Sequence, residues 1–221
     1  MVETRIYADK NEGAAEAARI GAQAIRDAIA ARGAARIVVA TGASQFELLK
    51  HLVAAPGIDW SKVTAFHLDE YAGLPISHPA SFRAYLPQRF MAPLREKPTF
   101  HEVNGEAGDL DAECARLDAL VAQGPIDVCF AGIGENAHLA FNAPPANFAT
   151  TKPYLVVTLD EACRNQQHRE GWFPSLEAVP TRAISMSVAQ MMAARLLILV
   201  APDARKAKAV AAALDGPVTP D

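Results

Sequence analysis

Three cysteines occur in 221 residues. Cys114, Cys129 and Cys163 lie far apart, match no metal-site spacing, and fit a reducing compartment better than a disulfide-stapled scaffold. Aromatic residues are only 7% of the chain, and no basic run interleaves with them. Lysine and arginine number 21 against 25 acidic residues, a formal net charge of −4, so there is no electrostatic case for a nucleic-acid partner. No apolar run approaches the roughly eighteen residues of a membrane span, so no membrane association is expected. The opening MVETRIYADKNEG lacks the basic and apolar regions of a secretory signal, and a cytoplasmic location is the expectation. The histidines at 51, 67, 78, 101, 138 and 168 form no HExxH or clustered Cys/His pattern, so no metal is expected. There is neither a GxGxxG fingerprint nor a P-loop Lys-Ser/Thr pair, and no cofactor is expected.

What the chain has in excess is alanine, 45 residues or about a fifth of the total, within an apolar fraction of 51%. That composition is too apolar and too weakly charged for a disordered chain, and alanine lets helices form and approach a sheet closely. A short strand is expected at Thr4 to Tyr7, then a helix over 12–32 with Ile20, Ile25 and Ile29 on its apolar face and Gly33 as its C-cap. RIVVATG reads as a buried strand closed by glycine, followed by a helix in SQFELLKHLVAA that Pro56 and Gly57 stop. The alternation recurs. VTAFHLDEY (63–71), IDVCFAGIG (126–134), YLVVTLD (154–160) and RLLILVAPD (195–203) read as strands. PASFRAYLPQRF (79–90, kinked near Pro87), 108–124 and ARKAKAVAAALDG read as helices. This pattern predicts an α/β chain: a single domain over 1–221 with a three-layer, Rossmann-like fold whose mostly parallel sheet is covered by helices on both faces. No internal repeat or flexible linker interrupts it.

Ligands of such folds sit beyond the carboxyl ends of the strands, and four strands here end in reactive or small residues. Thr41-Gly42-Ala43-Ser44 offers free backbone amides and two hydroxyls to a phosphate, or is simply a tight turn with Ser44 as N-cap. Asp69-Glu70 can aim one carboxylate at a cleft as a general base and the other at structure, or both can be loop carboxylates. The segment Gly132-Ile133-Gly134-Glu135-Asn136-Ala137-His138 combines close backbone approach with an imidazole that shuttles protons near neutral pH, although a loop histidine also serves structure. Lys206 stands at a helix start beyond a strand end, where an amine and helix amides together clamp a phosphate. Spacing does not determine whether Arg205, Lys206 or Lys208 points inward. Arg164 and Arg169 read individually as surface charges.

Taken in order, these segments resemble the glucosamine-6-phosphate deaminase and 6-phosphogluconolactonase superfamily, from the first helix to the last residue. LDEYAGLPISHPASFRAYL and GIGENAHLAFNAPP look like the deaminase branch, and CRNQQHREGWF is like a deaminase-like bacterial subgroup. The Thr-Ala-Ser-Leu-Phe-Pro type run that usually follows the histidine in the lactonase branch is absent. The resemblance implies a hexose 6-phosphate substrate held by residues 41–44 and Lys206, assisted by Arg169. It implies Asp69 as the base moving a proton between C2 and C1, and His138 as the group assisting ring opening before ammonia is lost. In the family, acidic residues accompany this histidine two positions before and five after. Here those positions are Asn136 and Ala143, and Ala137 replaces the usual glycine. Two alternatives follow: hydrolysis of a phosphorylated sugar lactone with His138 activating water, and a catalytically weakened sugar-phosphate-binding or regulatory protein. The chain stops at DGPVTPD, where the family usually continues to a final strand, so a minimal or a truncated domain with an uncovered sheet edge is expected. Self-association is left open.

Overall fold

Asp9 opens the first helix by accepting from the amides of Asn11 and Glu12, and α1 (Lys10–Arg32) ends at Gly33, whose left-handed φ of 79° lets its N–H reach Ile29 O. The computed structural model describes residues 2–220. Met1 and Asp221, the ends of the expected 1–221 domain, lie outside the described residues. The buried face of α1 is Ala14, Ala18, Gly21, Ala22, Ile25 and Ala28. Small side chains there let the helix press on the sheet: a Cβ on Gly21 would lie 2.4 Å from the Phe130 ring.

The chain continues through β1 (Ala35–Val39), α2 (Phe46–Val53), β2 (Val63–His67), β3 (Asp69–Tyr71) and α3 (Phe82–Leu86). A π-helical turn at Pro87–Met91 follows, where the expected kink falls. Next come β4 (Thr99–His101), α4 (Leu110–Val121), β5 (Val128–Ala131), β6 (Tyr154–Thr158) and α5 (Glu161–Arg169). The last elements are β7 (Arg182–Met186), α6 (Val188–Met192), β8 (Leu196–Leu199) and α7 (Ala207–Asp215).

Five strands form a parallel sheet in the order β4-β2-β1-β5-β8. Side chains alternate across it as strand geometry requires. Ile37, Val39, Val63, Ala65 and Phe130 pack with α1 and α2 on one face. Val38, Ala40, Phe66 and Cys129 pack on the other with Cys114, Leu117 and Val121 of α4. That second face also carries Tyr154, Ile184 and Met186, from an antiparallel sheet of order β3-β7-β6. The expected helices on both faces are present, and this small sheet shares one of the layers.

Several expected elements differ. Thr4 to Tyr7 forms no strand: Ile6 is 92% exposed, and Arg5 pairs instead with Glu3 and Glu16. VTAFHLDEY is two strands joined at Leu68, whose N–H donates to Val39 O while its carbonyl accepts from Met186 N. One residue thus hands the chain from the parallel sheet to the antiparallel one. RAISM (182–186), short and isolated in sequence, pairs with both β3 and β6. The polar tract after Asp160 is helix α5, capped by the Asp160 carboxylate on Cys163 N. β8 is an edge strand with β5 as its sheet neighbour, and Leu199 is 39% exposed. Among the described residues no helix is long and apolar enough to cross a membrane.

Candidate active site

From β1 the parallel sheet grows outward in two directions, to β2 and β4 on one side and to β5 and β8 on the other. The carboxyl ends of β1 and β5 therefore splay apart at a topological switch point, the usual ligand crevice of such sheets. A cavity of about 480 Å³ opens there, lined by residues 41–44, Asp69, Gly132 to Gly134, His138, α5 and the segment 200–206.

After β1, Gly42 takes φ 97°, a conformation open to glycine without strain, and turns the chain into a 3-10 turn at Ala43–Gln45. The first helical bond there runs from Gln45 N to Gly42 O, so the Ala43 and Ser44 amides precede it. Ser44 is not a side-chain N-cap. Its Oγ accepts from Gln45 Nε2, which also donates to Ala131 O and so ties this turn to β5. Thr41 Oγ1 is buried with no hydrogen-bond partner. Of the three cations near the last helix, Lys206 is the one that turns inward. It is 7% exposed, its ammonium makes no direct ion pair or hydrogen bond among the described residues, and burial lowers its pKa. Arg205 and Lys208 are exposed, with Arg205 engaged by Asp203 at 2.6 Å.

β3 separates its two carboxylates. Asp69 is 6% exposed and lines the cavity, and its carboxylate accepts no hydrogen bond among the described residues; burial first and the charge of Glu70 second push it up to about 8. Glu70 points away from the cavity and accepts from Tyr71 N (2.9 Å), Ser81 Oγ (3.0 Å) and Arg83 N (2.8 Å). Burial raises Glu70 as well, against the pull of those donors.

The segment after β5 folds into a tight loop closed by Gly134 N donating to His138 O at 2.8 Å. The imidazole lies against Gly134, where a Cβ would fall 2.2 Å from it. Burial, then Lys206, lowers His138 to about 4, so it is neutral near pH 7. Its Nδ1 meets Asn136 Oδ1 at 2.5 Å, and Asn136 Nδ2 donates to Asp160 Oδ2 at 3.3 Å. Ala137 and Ala140 hold positive φ values of 67° and 52° in this loop.

The fold thus brings together residues 41–44, Asp69, Gly132, Gly134, His138 and Lys206. Glu70, Asn136 and Ala143 do not line the cavity; Asn136 reaches it through His138. Arg169 does not line it either: 60% exposed, it pairs with Glu135 at 2.8 Å. Arg164 anchors a loop through Leu176 O and Val179 O. The sequence reading missed Gln166 and Gln167, which line the cavity from α5. Tyr71 Oη donates to Gln167 Oε1 at 2.8 Å, and Gln166 Nε2 donates to Glu170 at 2.9 Å. Their signal was Asp160 followed at helical spacing by Cys163, Gln166 and Gln167, the buried positions of α5. Among the described residues no group of His, Cys, Asp and Glu is arranged to hold a metal ion.

Residues 8–220 match the family described as glucosamine-6-phosphate isomerases/6-phosphogluconolactonase. Glucosamine-6-phosphate deaminase 1 of Bacillus subtilis strain 168 is 34% identical over 211 residues, covering 93% of this chain and 86% of that one. The glucosamine-6-phosphate deaminase of Lactobacillus delbrueckii subsp. bulgaricus is 35% identical over 189 residues, 86% of this chain and 78% of the other. The solved structure of a monomeric glucosamine-6-phosphate deaminase superposes with a TM-score of 0.86 at 32% identity, covering 96% of this chain and 86% of that one. A 6-phosphogluconolactonase from Shewanella baltica shares the fold at a TM-score of 0.76 and 19% identity, covering 93% and 84% of the two chains. The chain belongs to the glucosamine-6-phosphate isomerase/6-phosphogluconolactonase family.

Proposed function

We propose that this protein is a glucosamine-6-phosphate deaminase, a sugar-phosphate isomerase and hydrolase that consumes water and releases ammonia, working as one sugar-phosphate domain over 1–221. The observation that carries the reading is the Asp69 carboxylate: buried, unpartnered, raised toward neutral pH, and in the same cavity as the unpaired Lys206. A base for a carbon acid needs that combination, since desolvation raises its proton affinity while an uncommitted oxygen stays free to accept.

The Ala43 and Ser44 amides, the Thr41 and Ser44 hydroxyls and Lys206 hold the 6-phosphate, which fits a buried hydroxyl without a hydrogen-bond partner and an ammonium without a direct ion pair, brought from two strand ends into one cavity. Arg169, held by Glu135, contributes charge from the rim. Neutral His138 accepts the proton of the anomeric hydroxyl as the C1–O5 bond breaks and returns it to O5, opening the ring. Asp69 then removes the C2 proton to give an enolamine and delivers it to C1. The resulting C2 imine is hydrolysed by water to the ketose phosphate and ammonia. Gly132 and Gly134 keep the loop close to the sugar. Ala143 leaves the second family carboxylate unreplaced, and the intact Asn136–His138 bond supports a working imidazole.

Incubation with glucosamine 6-phosphate is expected to release ammonium and ketose phosphate in equal amounts, with 6-phosphogluconolactone turned over poorly or not at all. Lactone hydrolysis without ammonium release would transfer the site to the lactonase reaction.

A further inference from the structure

Asn136 stands where the family resemblance calls for a carboxylate, yet a carboxylate lies one hydrogen bond further on. Asp160 Oδ2 accepts from Asn136 Nδ2 at 3.3 Å, and Asn136 Oδ1 meets His138 Nδ1 at 2.5 Å. The other carboxylate oxygen is committed, because Oδ1 of Asp160 caps α5 by accepting from Cys163 N at 2.6 Å. We propose that Asp160 is a positioning residue that sets the tautomer of His138 through Asn136.

The two ends of an Asn side chain are told apart by their partners. A carboxylate offers only acceptors, so the amide end of Asn136 faces Asp160 and its carbonyl faces the imidazole. The reverse placement sets carbonyl against carboxylate. With a carbonyl at Nδ1, a neutral imidazole carries its proton there and keeps Nε2 as the acceptor, which has no partner among the described residues. The ring is held against Gly134, where a Cβ would be 2.2 Å away, so the loop has little freedom to offer another orientation. Asp160 lies on a different element from the loop, at the start of the helix that supplies Gln166 and Gln167 to the cavity. The docking of α5 and the protonation pattern of His138 are thereby coupled.

The inference deepens the proposed reaction and rests on it for its catalytic consequence, but its test reads the imidazole without substrate. Asp160→Asn keeps the cap, since the Asn oxygen still accepts from Cys163 N, and turns an amide toward Asn136. Asn136 then reverses, and the imidazole protonates on Nε2. Ring 15N chemical shifts, assigned with a His138→Gln control, are expected to show the Nδ1–H tautomer in the wild type and the Nε2–H tautomer in Asp160→Asn. Asp160→Ser, which caps the helix but is too short to reach Asn136, is expected to give a mixture. In the kinetics, kcat of Asp160→Asn is expected to fall roughly ten- to a hundredfold, as for other residues that orient an imidazole, with KM nearly unchanged. An Nε2–H wild type, or a pure Nδ1–H form in both variants, overturns the proposal. A tautomer that follows Asp160 in a protein that releases no ammonium leaves this relay standing and removes the deaminase reading instead.

Discussion

Asp69 and Glu70 are neighbours on β3, yet one carboxylate enters the cavity with no hydrogen bond while the other accepts from three protein donors. Strand alternation sends them to opposite faces. The division between them, one open to the cavity and one holding residues 81–83 in place, follows from that geometry alone.

A stability consequence follows for Asp69. A carboxyl whose folded pKa lies above its unfolded one binds its proton more tightly when folded. Stability therefore falls as pH rises from about 4 through the folded value of about 8. Asp69→Asn removes this term. The variant is expected to be more stable than the wild type at pH 8, by up to about 5 kcal/mol for a carboxyl moved from about 4 to about 8, with the difference vanishing below about pH 4. Thermal unfolding at both pH values checks it.

The same group dictates the pH profile. As the proposed base, Asp69 must be ionised to accept the C2 proton, so kcat/KM is expected to rise with pH through a midpoint near 8 and level off above it. His138, lowered to about 4, stays neutral throughout and adds no ascending limb near 6.5. A profile that is flat between about pH 6 and 9 would contradict the assignment of the base.

No direct ion pair holds the Lys206 ammonium among the described residues, although the charges of Glu170 and Glu135 favour its protonated form, so its removal breaks no salt bridge. Lys206→Ala is expected to raise KM for the sugar phosphate at least tenfold while leaving kcat within a few-fold, the signature of lost binding that ground and transition states share. Titration with inorganic phosphate, monitored by calorimetry, is expected to show the same weakening. Equal phosphate affinity in the two proteins would remove Lys206 from the site.

Gly134 is required for space. Its φ is unremarkable, but a methyl group there would overlap the His138 ring at 2.2–2.5 Å. Gly134→Ala is expected to displace the imidazole, cost about 1–3 kcal/mol of stability, and lower kcat at least tenfold with phosphate affinity kept. Unchanged kcat would show that His138 has no part in the reaction.

Much of the architecture was legible because buried parallel strands and alanine-rich helices leave strong local patterns: RIVV, VCFA and LLIL all fall in the central sheet. Thr41 to Ser44, Asp69, His138 and Lys206 were legible because strand-end loops converge in such sheets. Leu68 was not. Its transfer of the chain between two sheets depends on bonds to Val39 and Met186, residues far away in sequence. α5 was obscured by its polarity, and its buried glutamines are satisfied by Tyr71, Glu135 and Glu170, which no local pattern reveals. Arg169 reads by position as a surface charge, and Glu135 does hold it outside the cavity; only the family resemblance placed it beside the phosphate.

The central claim is that Asp69 moves the C2 proton of an amino-sugar phosphate, and one assay addresses it directly. Wild type and Asp69→Asn are incubated in H2O with glucosamine 6-phosphate deuterated at C2, ammonium is followed in time, and deuterium at C1 of the ketose product is read by mass spectrometry. The account predicts stoichiometric ammonium with deuterium at C1 for the wild type, and a loss of at least about a thousandfold in rate for Asp69→Asn, whose folding is intact. Ammonium release at a comparable rate by both proteins, or none by the wild type, would contradict it.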